Sequence, residues 1–344
     1  MSKRRVHLVC RTPVVLVACL VTLCLLAASA EASFAGRNGH LAFSAETTFN
    51  GRAQNATLWD YNPVTDRLRQ LTRRAGGCHA GIDADGWVDA GHDYSPDGRW
   101  IAYVHADDCP GGEARSGLWM VRADGRKKRK LGSFELSWSA AVFGQATAAF
   151  SPDGRAVAVL SWAHDDPRGY YVLRIFNRSD GAVLQELFFD GSGSAAGVDW
   201  GTNGRLLMSM DGDLYVASPD GGSQRRLRLP RGGGIWSDET PDWSPSGRTF
   251  VFSGAHWDDD FLVGRALWLG SPGQNRPRQL ATAGRFPAWP VYSPDGRYIA
   301  YVEDEWQIRS YSAKRRGRIK IMMRLRGRIE LVRSISWQPR RRAG

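Results

Sequence analysis

An all-β fold, a six-bladed β-propeller of four-stranded antiparallel blades, is what the 344-residue sequence predicts. Three observations carry this reading. One turn phrase recurs with its glycines 56, 50, 43 and 49 residues apart. A β-branched or aromatic run follows each copy. The last residues of the chain supply a strand that the first repeat lacks.

The phrase reads Tyr94-Ser95-Pro96-Asp97-Gly98-Arg99, then Phe150-Ser151-Pro152-Asp153-Gly154-Arg155. It returns as Trp200-Gly201-Thr202-Asn203-Gly204-Arg205, Trp243-Ser244-Pro245-Ser246-Gly247-Arg248 and Tyr292-Ser293-Pro294-Asp295-Gly296-Arg297. The aromatic ends a strand, Pro presets φ for a turn, and Gly takes the positive-φ position. The second strand of each unit follows, as in 100–104, 156–160, 249–252 and 298–302. A third strand comes as Leu58-Trp59-Asp60-Tyr61, Leu118-Trp119-Met120-Val121, Leu214-Tyr215-Val216 and Leu267-Trp268-Leu269. A further turn leads to a short fourth, as in Arg69-Gln70-Leu71-Thr72 or Arg278-Gln279-Leu280. Four such strands per unit make a blade, and no long segment of helical period competes. Thirty-nine glycines and fourteen tryptophans fit many turns between aromatic strands.

The ends complete the count. Arg37-Asn38-Gly39-His40 is a partial copy with no strand ahead of its turn, and Ser334-Ile335-Ser336-Trp337-Gln338-Pro339 is the missing strand with the start of a turn. The C-terminal strand is therefore expected to join the first blade and close the ring, which removes two open sheet edges.

The Ser-Pro-Asp-Gly-Arg phrases, their Ile-Ala-Tyr-type strands and the Arg-Gln-Leu-Thr-type ends resemble the WD40-like repeats of TolB-type β-propellers. The resemblance covers about residues 36–340. Family members of the TolB type carry an α/β domain ahead of the propeller. Here only a few residues separate the leader from the first strand, so the resemblance implies a propeller without that domain, and a role in the Tol–Pal system does not follow from it.

Charge and leader set the expected compartment. The net charge is +11, but residues 1–30 hold four basic residues and no acid, and residues 312–344 hold twelve against Glu330 alone. The body between them is net −4. Lys3, Arg4 and Arg5 precede an apolar run over 13–28 and the small residues Ala28, Ala30 and Ala32, which is a secretory leader pattern. The expected organisation is a signal peptide at 1–32, a propeller over 33–340 and a basic tail at 341–344. The chain is accordingly expected to be periplasmic or extracellular. Retention of the leader as a membrane anchor is the alternative. Two cysteines, Cys78 and Cys109, lie beyond the leader and read as one disulfide in an oxidising compartment, two free thiols being the alternative.

Turns after the second and fourth strands of a blade share one face, and long insertions fall there, at 45–56, 73–92, 106–117, 163–169, 231–239 and 255–264. Long loops on a rigid scaffold are where binding usually resides. They are rich in acids and aromatics, so Trp236, Trp257, Asp107, Asp165, Asp258 and Asp259 are the candidate contacts for a partner. The opposite face is expected to carry the phrase arginines. Asp83, Asp85 and Asp89 alternate around Gly86 as hard oxygen ligands that suit calcium, although a solvated turn explains them as well and no other cofactor is expected. Trp59, Trp119, Trp200, Trp243 and Trp268 are expected to pack between blades.

The function expected is that of an exported, non-enzymatic scaffold, binding a protein or cell-envelope polymer through an acidic, aromatic loop face. The basic C-terminal segment, with Lys314 to Arg318, suits peripheral contact with anionic membrane. Export argues against nucleic acid as a partner. Oligogalacturonate lyases, whose propellers resemble the TolB type, carry His-rich metal sites at the channel. The alternative is therefore a metal-dependent extracellular carbohydrate lyase or hydrolase, with His79, His92, His105, His164 and His256 converging at the channel mouth.

Overall fold

The chain was analysed as a computed structural model that describes residues 35–49, 52–73, 87–107, 116–134, 146–163, 169–191, 197–227, 235–258, 261–274, 276–280, 284, 286–313, 317–325 and 329–340. Side chains at 47–49, 52–55, 87, 107, 235–238, 257, 258, 261 and 330 lie outside that description. Among the described residues, no helix is long and apolar enough to cross a membrane.

The first blade takes β1 (Arg37–Phe49), β2 (Arg52–Asn62) and β3 (Arg67–Gln70). The second is β4 (Trp87–Tyr94), β5 (Trp100–Asp107), β6 (Gly117–Arg122) and β7 (Lys128–Ser133). The third is β8 (Ala146–Phe150), β9 (Ala156–Ala163), β10 (Tyr170–Asn177) and β11 (Val183–Asp190). The fourth is β12 (Gly197–Trp200), β13 (Leu206–Met210), β14 (Asp213–Ala217) and β15 (Gln224–Arg226). The fifth is β16 (Ile235–Trp243), β17 (Phe250–Asp258), β18 (Phe261–Gly270) and β19 (Arg278–Gln279). The sixth is β20 (Pro287–Tyr292), β21 (Tyr298–Glu303), β22 (Gln307–Ser312) and β23 (Ile319–Arg324). The last strand, β24 (Ile329–Arg340), pairs antiparallel with β1 from Arg37↔Arg340 to Thr47↔Ile329. The expected loan of a C-terminal strand to the first blade is therefore present. A two-residue parallel bridge, Asn55↔Trp87 and Ala56↔Val88, links the first two blades.

Alternation along the middle strands explains why they read as unbroken apolar runs. On β5, Ile101 and Tyr103 pack with Leu58 and Leu71 of the first blade, whereas Ala102, Val104 and Ala106 pack with Phe150 and Val157 of the third. Period-2 geometry thus sends successive residues into two different seams, and both must be apolar. The same division recurs around the molecule in six buried clusters, one for each pair of neighbouring blades. The sixth and first blades share Ala300, Val302 and Ile308 with Leu41, Phe43, Ile335 and Trp337. All five tryptophans expected between blades lie in these seams.

The recurring phrase makes one hydrogen-bonded turn each time. Gly98 N–H donates to the Ser95 carbonyl at 2.7 Å, and Gly154 N–H to that of Ser151 at 2.8 Å. Both glycines have φ near +70°, at 66° and 69°. The Asp between Pro and Gly caps the turn: Asp97 Oδ1 accepts from Arg99 N–H at 3.0 Å and from Ser95 Oγ at 2.6 Å. Asp153 and Asp295 repeat the arrangement. These bonds hold the Asp97 and Asp153 carboxyls below the usual carboxylate range, against the opposing effect of burial. Asp153→Ala is expected to cost about 1 kcal/mol, as loss of a comparable side-chain cap does; a melting temperature equal to that of the parent protein would contradict this. Arg99, Arg155, Arg205, Arg248 and Arg297, the residues after the glycines, are all exposed on this face.

Two expected loops are strands instead. The β1–β2 ladder continues to Phe49↔Arg52, and β17–β18 continues to Asp258↔Phe261. Trp236 and Trp257 therefore sit on ladders, opposite His256 and Ile235, and Asp107 pairs with Trp87. Connections after second strands were expected there, but β-branched and aromatic residues in the insertions sustain longer hairpins.

Candidate functional site: the axial channel

All six innermost strands converge on one axial cavity of about 80 Å³. Each contributes residues: Gly91 to Asp93 from β4, Thr147 and Ala148 from β8, Gly197 to Asp199 from β12, Thr240 to Asp242 from β16, Trp289 to Val291 from β20, and Ser334 to Ser336 from β24. The cavity continues towards the phrase turns through a narrower space that shares Asp93, Asp199, Asp242, Val291 and Ser336.

Three carboxylates occupy the junction of the two spaces. Asp93, Asp199 and Asp242 each stand immediately before the aromatic of a turn phrase, so the strand register places them at one depth. Each reaches across a seam. Asp93 Oδ2 accepts from Phe150 N–H at 3.0 Å, Asp199 Oδ2 from Trp243 N–H at 2.6 Å, and Asp242 Oδ2 from Tyr292 N–H at 2.7 Å. Asp199 Oδ1 also accepts from Trp200 N–H at 2.7 Å. Between the third and fourth blades Thr147 takes over, its Oγ1 accepting from Val198 N–H at 2.7 Å. The carboxylates are thus blade-to-blade clasps as well as channel lining.

Their protonation follows from depth. Each keeps some access to the lumen but is otherwise enclosed by protein, and loss of hydration disfavours the anion. Burial pushes the Asp199 carboxyl up to about 6, against the pull of its two backbone donors. Asp93 and Asp242 are pushed well above the carboxylate range, first by burial and then by the charge of Asp199. Like charges facing one lumen cannot all ionise together near neutral pH. The junction therefore retains protons near neutral pH and presents O–H donors as well as acceptors.

One side of the lumen carries strain. Gly91, Thr240 and Trp289 all have positive φ, at 54°, 43° and 48°. Each lies at a bulge in the innermost strand of its blade. Such a conformation costs on the order of 1–3 kcal/mol for a non-glycine residue. In Thr240-Pro241 and Trp289-Pro290, proline supplies no N–H to the ladder, so the bulge needs one donor fewer. At Gly91 a Cβ would lie 2.2 Å from the Ala146 carbonyl oxygen, which leaves glycine alone able to fit.

His92 faces the same lumen, its Nδ1 3.0 Å from Ser334 Oγ of the first blade. Burial lowers its pKa to about 4, partly offset by the Ala42 backbone, so the ring is neutral at pH 7. His105 instead binds Asp89, Nδ1 to Oδ1 at 2.6 Å, and meets Trp119 edge-on at 5.6 Å. His256 lies on β17 opposite Trp236 and Gly264. Among the described residues, no three His, Cys, Asp or Glu side chains come together in a metal-binding group. Asp89 is fully buried on β4, whereas Asp83 and Asp85 lie outside the described residues. So do Cys78, Cys109, His79, His164, Asp165, Asp259 and 341–344. For Trp236, Trp257, Asp107 and Asp258 only the backbone is described.

The channel carboxylates were missed because each aspartate looks like an ordinary polar strand end. Their signal is the recurrence of one dipeptide, Asp93-Tyr94, Asp199-Trp200 and Asp242-Trp243, at equivalent points of three repeats.

No protein-family model matches this sequence, and no curated protein matches it either. Solved structures do. TolB from Acinetobacter baumannii superposes with a TM-score of 0.62 at 17% identity, over 88% of this chain and 67% of that one. A puromycin-hydrolysing peptidase of Mycobacterium tuberculosis gives 0.52 at 17% identity, over 84% of this chain and 45% of that one. A puromycin hydrolase gives 0.50 at 17% identity, over 86% and 47%. This chain therefore spans about half the length of the two hydrolases. The likeness establishes a TolB-like β-propeller fold.

Proposed function

We propose that this chain is an exported binding scaffold that receives a basic partner, a protein or a cell-envelope polymer, at its acidic, aromatic loop face, over an axial channel lined inside by three aspartates. The observation that carries the reading is the Asp93, Asp199 and Asp242 junction, held at fixed depth by backbone donors of the next blade. Asp199, whose pKa of about 6 leaves it ionised near neutral pH, supplies a preorganised negative charge in the channel, with the oxygens of Asp93 and Asp242 beside it. Trp236, Trp257, Asp107, Asp165, Asp258 and Asp259 would line the approach, with the tryptophans as anchors and the acids as selectors. Residues 1–32 would direct export, and the basic C-terminal segment would rest against anionic lipid. A Cys78–Cys109 disulfide would pin two loops of that approach, and Asp83 and Asp85 would be the calcium ligands of the loop between them. The lyase or hydrolase reading requires histidines that converge on a metal; His92 and His105 bond Ser334 and Asp89 through Nδ1, and among the described residues they join no metal-binding group of three.

The test is capture from a cell-envelope fraction at about pH 7.5 by residues 33–344, compared with the Asp199→Asn variant, since Asp199 is the junction carboxylate ionised at that pH. Asparagine preserves an acceptor for Trp243 N–H and removes the charge. Capture by the parent protein is expected to weaken as salt rises from about 50 to about 500 mM, because screening shortens the reach of the field. The variant is expected to retain less than about a tenth of it, a loss of about 1.4 kcal/mol or more. Capture indifferent to both salt and the substitution would overturn the reading.

A further inference from the structure

The two faces of the ring are built differently. Turns after the first and third strands of each blade share one face, where backbone bonds tie neighbouring turns together. Ala123 N–H donates to the Arg99 carbonyl at 2.9 Å, Arg178 N–H to that of Arg155 at 2.8 Å, and Ala313 N–H to that of Arg297 at 2.9 Å. The strand β1 begins on this face and β24 ends on it, Arg37 opposite Arg340. The long insertions all belong to the opposite connections. Short turns of similar length at every blade make a broad face, which fits a plane better than a linear chain.

Its charge is one-sided. Between the strand ends, the described residues of these turns include ten arginines and lysines against seven aspartates. The strand-terminal residues that flank them add six basic residues and no acid, which brings the face to +9. Six of the seven aspartates turn back to cap their own turns, each accepting the backbone N–H two residues on, as Asp124 does from Arg126 and Asp180 from Ala182, both at 3.0 Å. The arginines stand outward, with the Arg155 and Arg297 side chains 88% and 64% exposed. Beside them Val64 is 90% exposed at the tip of the β2–β3 turn, where Asn62 Oδ1 accepts its N–H at 2.9 Å and fixes the tip.

We infer that the phrase-turn face is a docking surface for an anionic lipid bilayer, which leaves the loop face turned outward to its partner. Basic residues spread over all six blades meet a plane of headgroup phosphates together, and each one near such a surface strengthens binding about fivefold. Val64 enters the boundary between headgroups and acyl chains, where apolar side chains gain burial. A soluble polyanion meets the same charge but gains nothing from Val64. The inference deepens the lipid contact proposed for the C-terminal segment, extends it to the third and fourth blades, and rests on the export proposed with it. It does not depend on the channel or on the loop face.

The test is co-sedimentation of residues 33–344 with vesicles of phosphatidylcholine containing about one-third phosphatidylglycerol, at about 0.1 M salt. Binding is expected to these vesicles and not to phosphatidylcholine alone. The Arg155→Gln, Arg205→Gln variant is expected to bind about tenfold or more weakly, and to show the same loss when residues 341–344 are also removed. The Arg226→Gln, Arg324→Gln variant loses equal charge from outer strands, opposite Tyr215 and Gln307, and is expected to bind as the parent does. Val64→Ser is expected to weaken vesicle binding about threefold and to leave binding of soluble polyphosphate unchanged. All these positions are exposed, and an unchanged melting temperature verifies folding. No phosphatidylglycerol-dependent binding by the parent would sink both this inference and the C-terminal contact. Full binding by the Arg155, Arg205 variant, with loss on removing 341–344, would overturn the inference and leave the C-terminal contact standing. Equal weakening in the Arg226, Arg324 variant would overturn it by reducing the effect to net charge. Vesicle binding unaffected by Val64→Ser would overturn it by assigning the face to a soluble polyanion.

Discussion

Deleting residues 329–340 is expected to abolish cooperative folding, although the segment forms one strand of the twenty-four among the described residues. The strand β24 is the innermost of the first blade, and Ile329, Val332, Ile335 and Trp337 are buried in the seam with the sixth. Burial of an apolar side chain of this size contributes about 1.5–3 kcal/mol, so four contribute on the order of 10 kcal/mol. The whole stability of a domain is about 5–15 kcal/mol. Polar ties would go too. Gln338 accepts from His40 N–H at 3.1 Å and donates to the Gly98 carbonyl at 2.8 Å, and Arg333 binds Glu46. Leu41 and Phe43, wholly buried in the intact molecule, would face water. A thermal scan followed by circular dichroism should show no sharp transition, and a cooperative melt at the parent temperature would refute the expectation. Trp337→Ala should be a milder version, costing about 3–5 kcal/mol.

Stability should decline as pH rises above the ordinary carboxylate value, because the channel carboxylates hold protons that the unfolded chain releases, and His92 offsets part of that decline. Asp199 has a folded pKa raised to about 6, so the native state holds a proton that the unfolded chain releases. Its contribution is complete below the ordinary carboxylate value and is lost as pH rises through about 6, a change of about 3 kcal/mol. His92 has a folded pKa lowered to about 4, so the unfolded chain binds the extra proton. Its contribution is complete above about 6.5 and is lost as pH falls towards 4, also about 3 kcal/mol. Asp93 and Asp242, raised well above the carboxylate range, add to the decline in the same direction, from the ordinary carboxylate value up to their own raised pKa. Urea titrations at several pH values should trace this profile. Asp242→Asn, which keeps an oxygen for Tyr292 N–H, should reduce the alkaline decline. His92→Asn should expose the downward slope of Asp199 between pH 4 and 6. A slope rising with pH in that variant would show that the carboxylates are not the titrating groups.

The turn phrases and the channel were legible to different degrees. Turn phrases repeat because each blade needs the same tight reversal, so the Gly98, Gly154 and Gly296 positions are evident in the sequence. The channel aspartates repeat as well, in Asp93-Tyr94, Asp199-Trp200 and Asp242-Trp243, but an acid at a strand end carries no mark of the lumen it faces. Trp236 and Trp257 were recognisable as candidates, but their position on ladders depends on how far a hairpin continues, and polar composition conceals that. Asp89 reads as a possible ion ligand beside Asp83 and Asp85. In the fold, alternation along β4 turns it inward to His105.

What the sequence alone determined is the repeat, the number of blades and the strand lent by the C-terminus. Those follow from short-range physics: turn residues that tolerate positive φ, and a period of two that must feed two apolar seams. What only the tertiary structure decided is which residues from distant repeats share a depth at the axis. Asp93, Asp199 and Asp242 are 43 to 149 residues apart in sequence. Their clasps, raised pKa values and common lumen exist only after six strands converge, because charge coupling depends on distance in space and on burial.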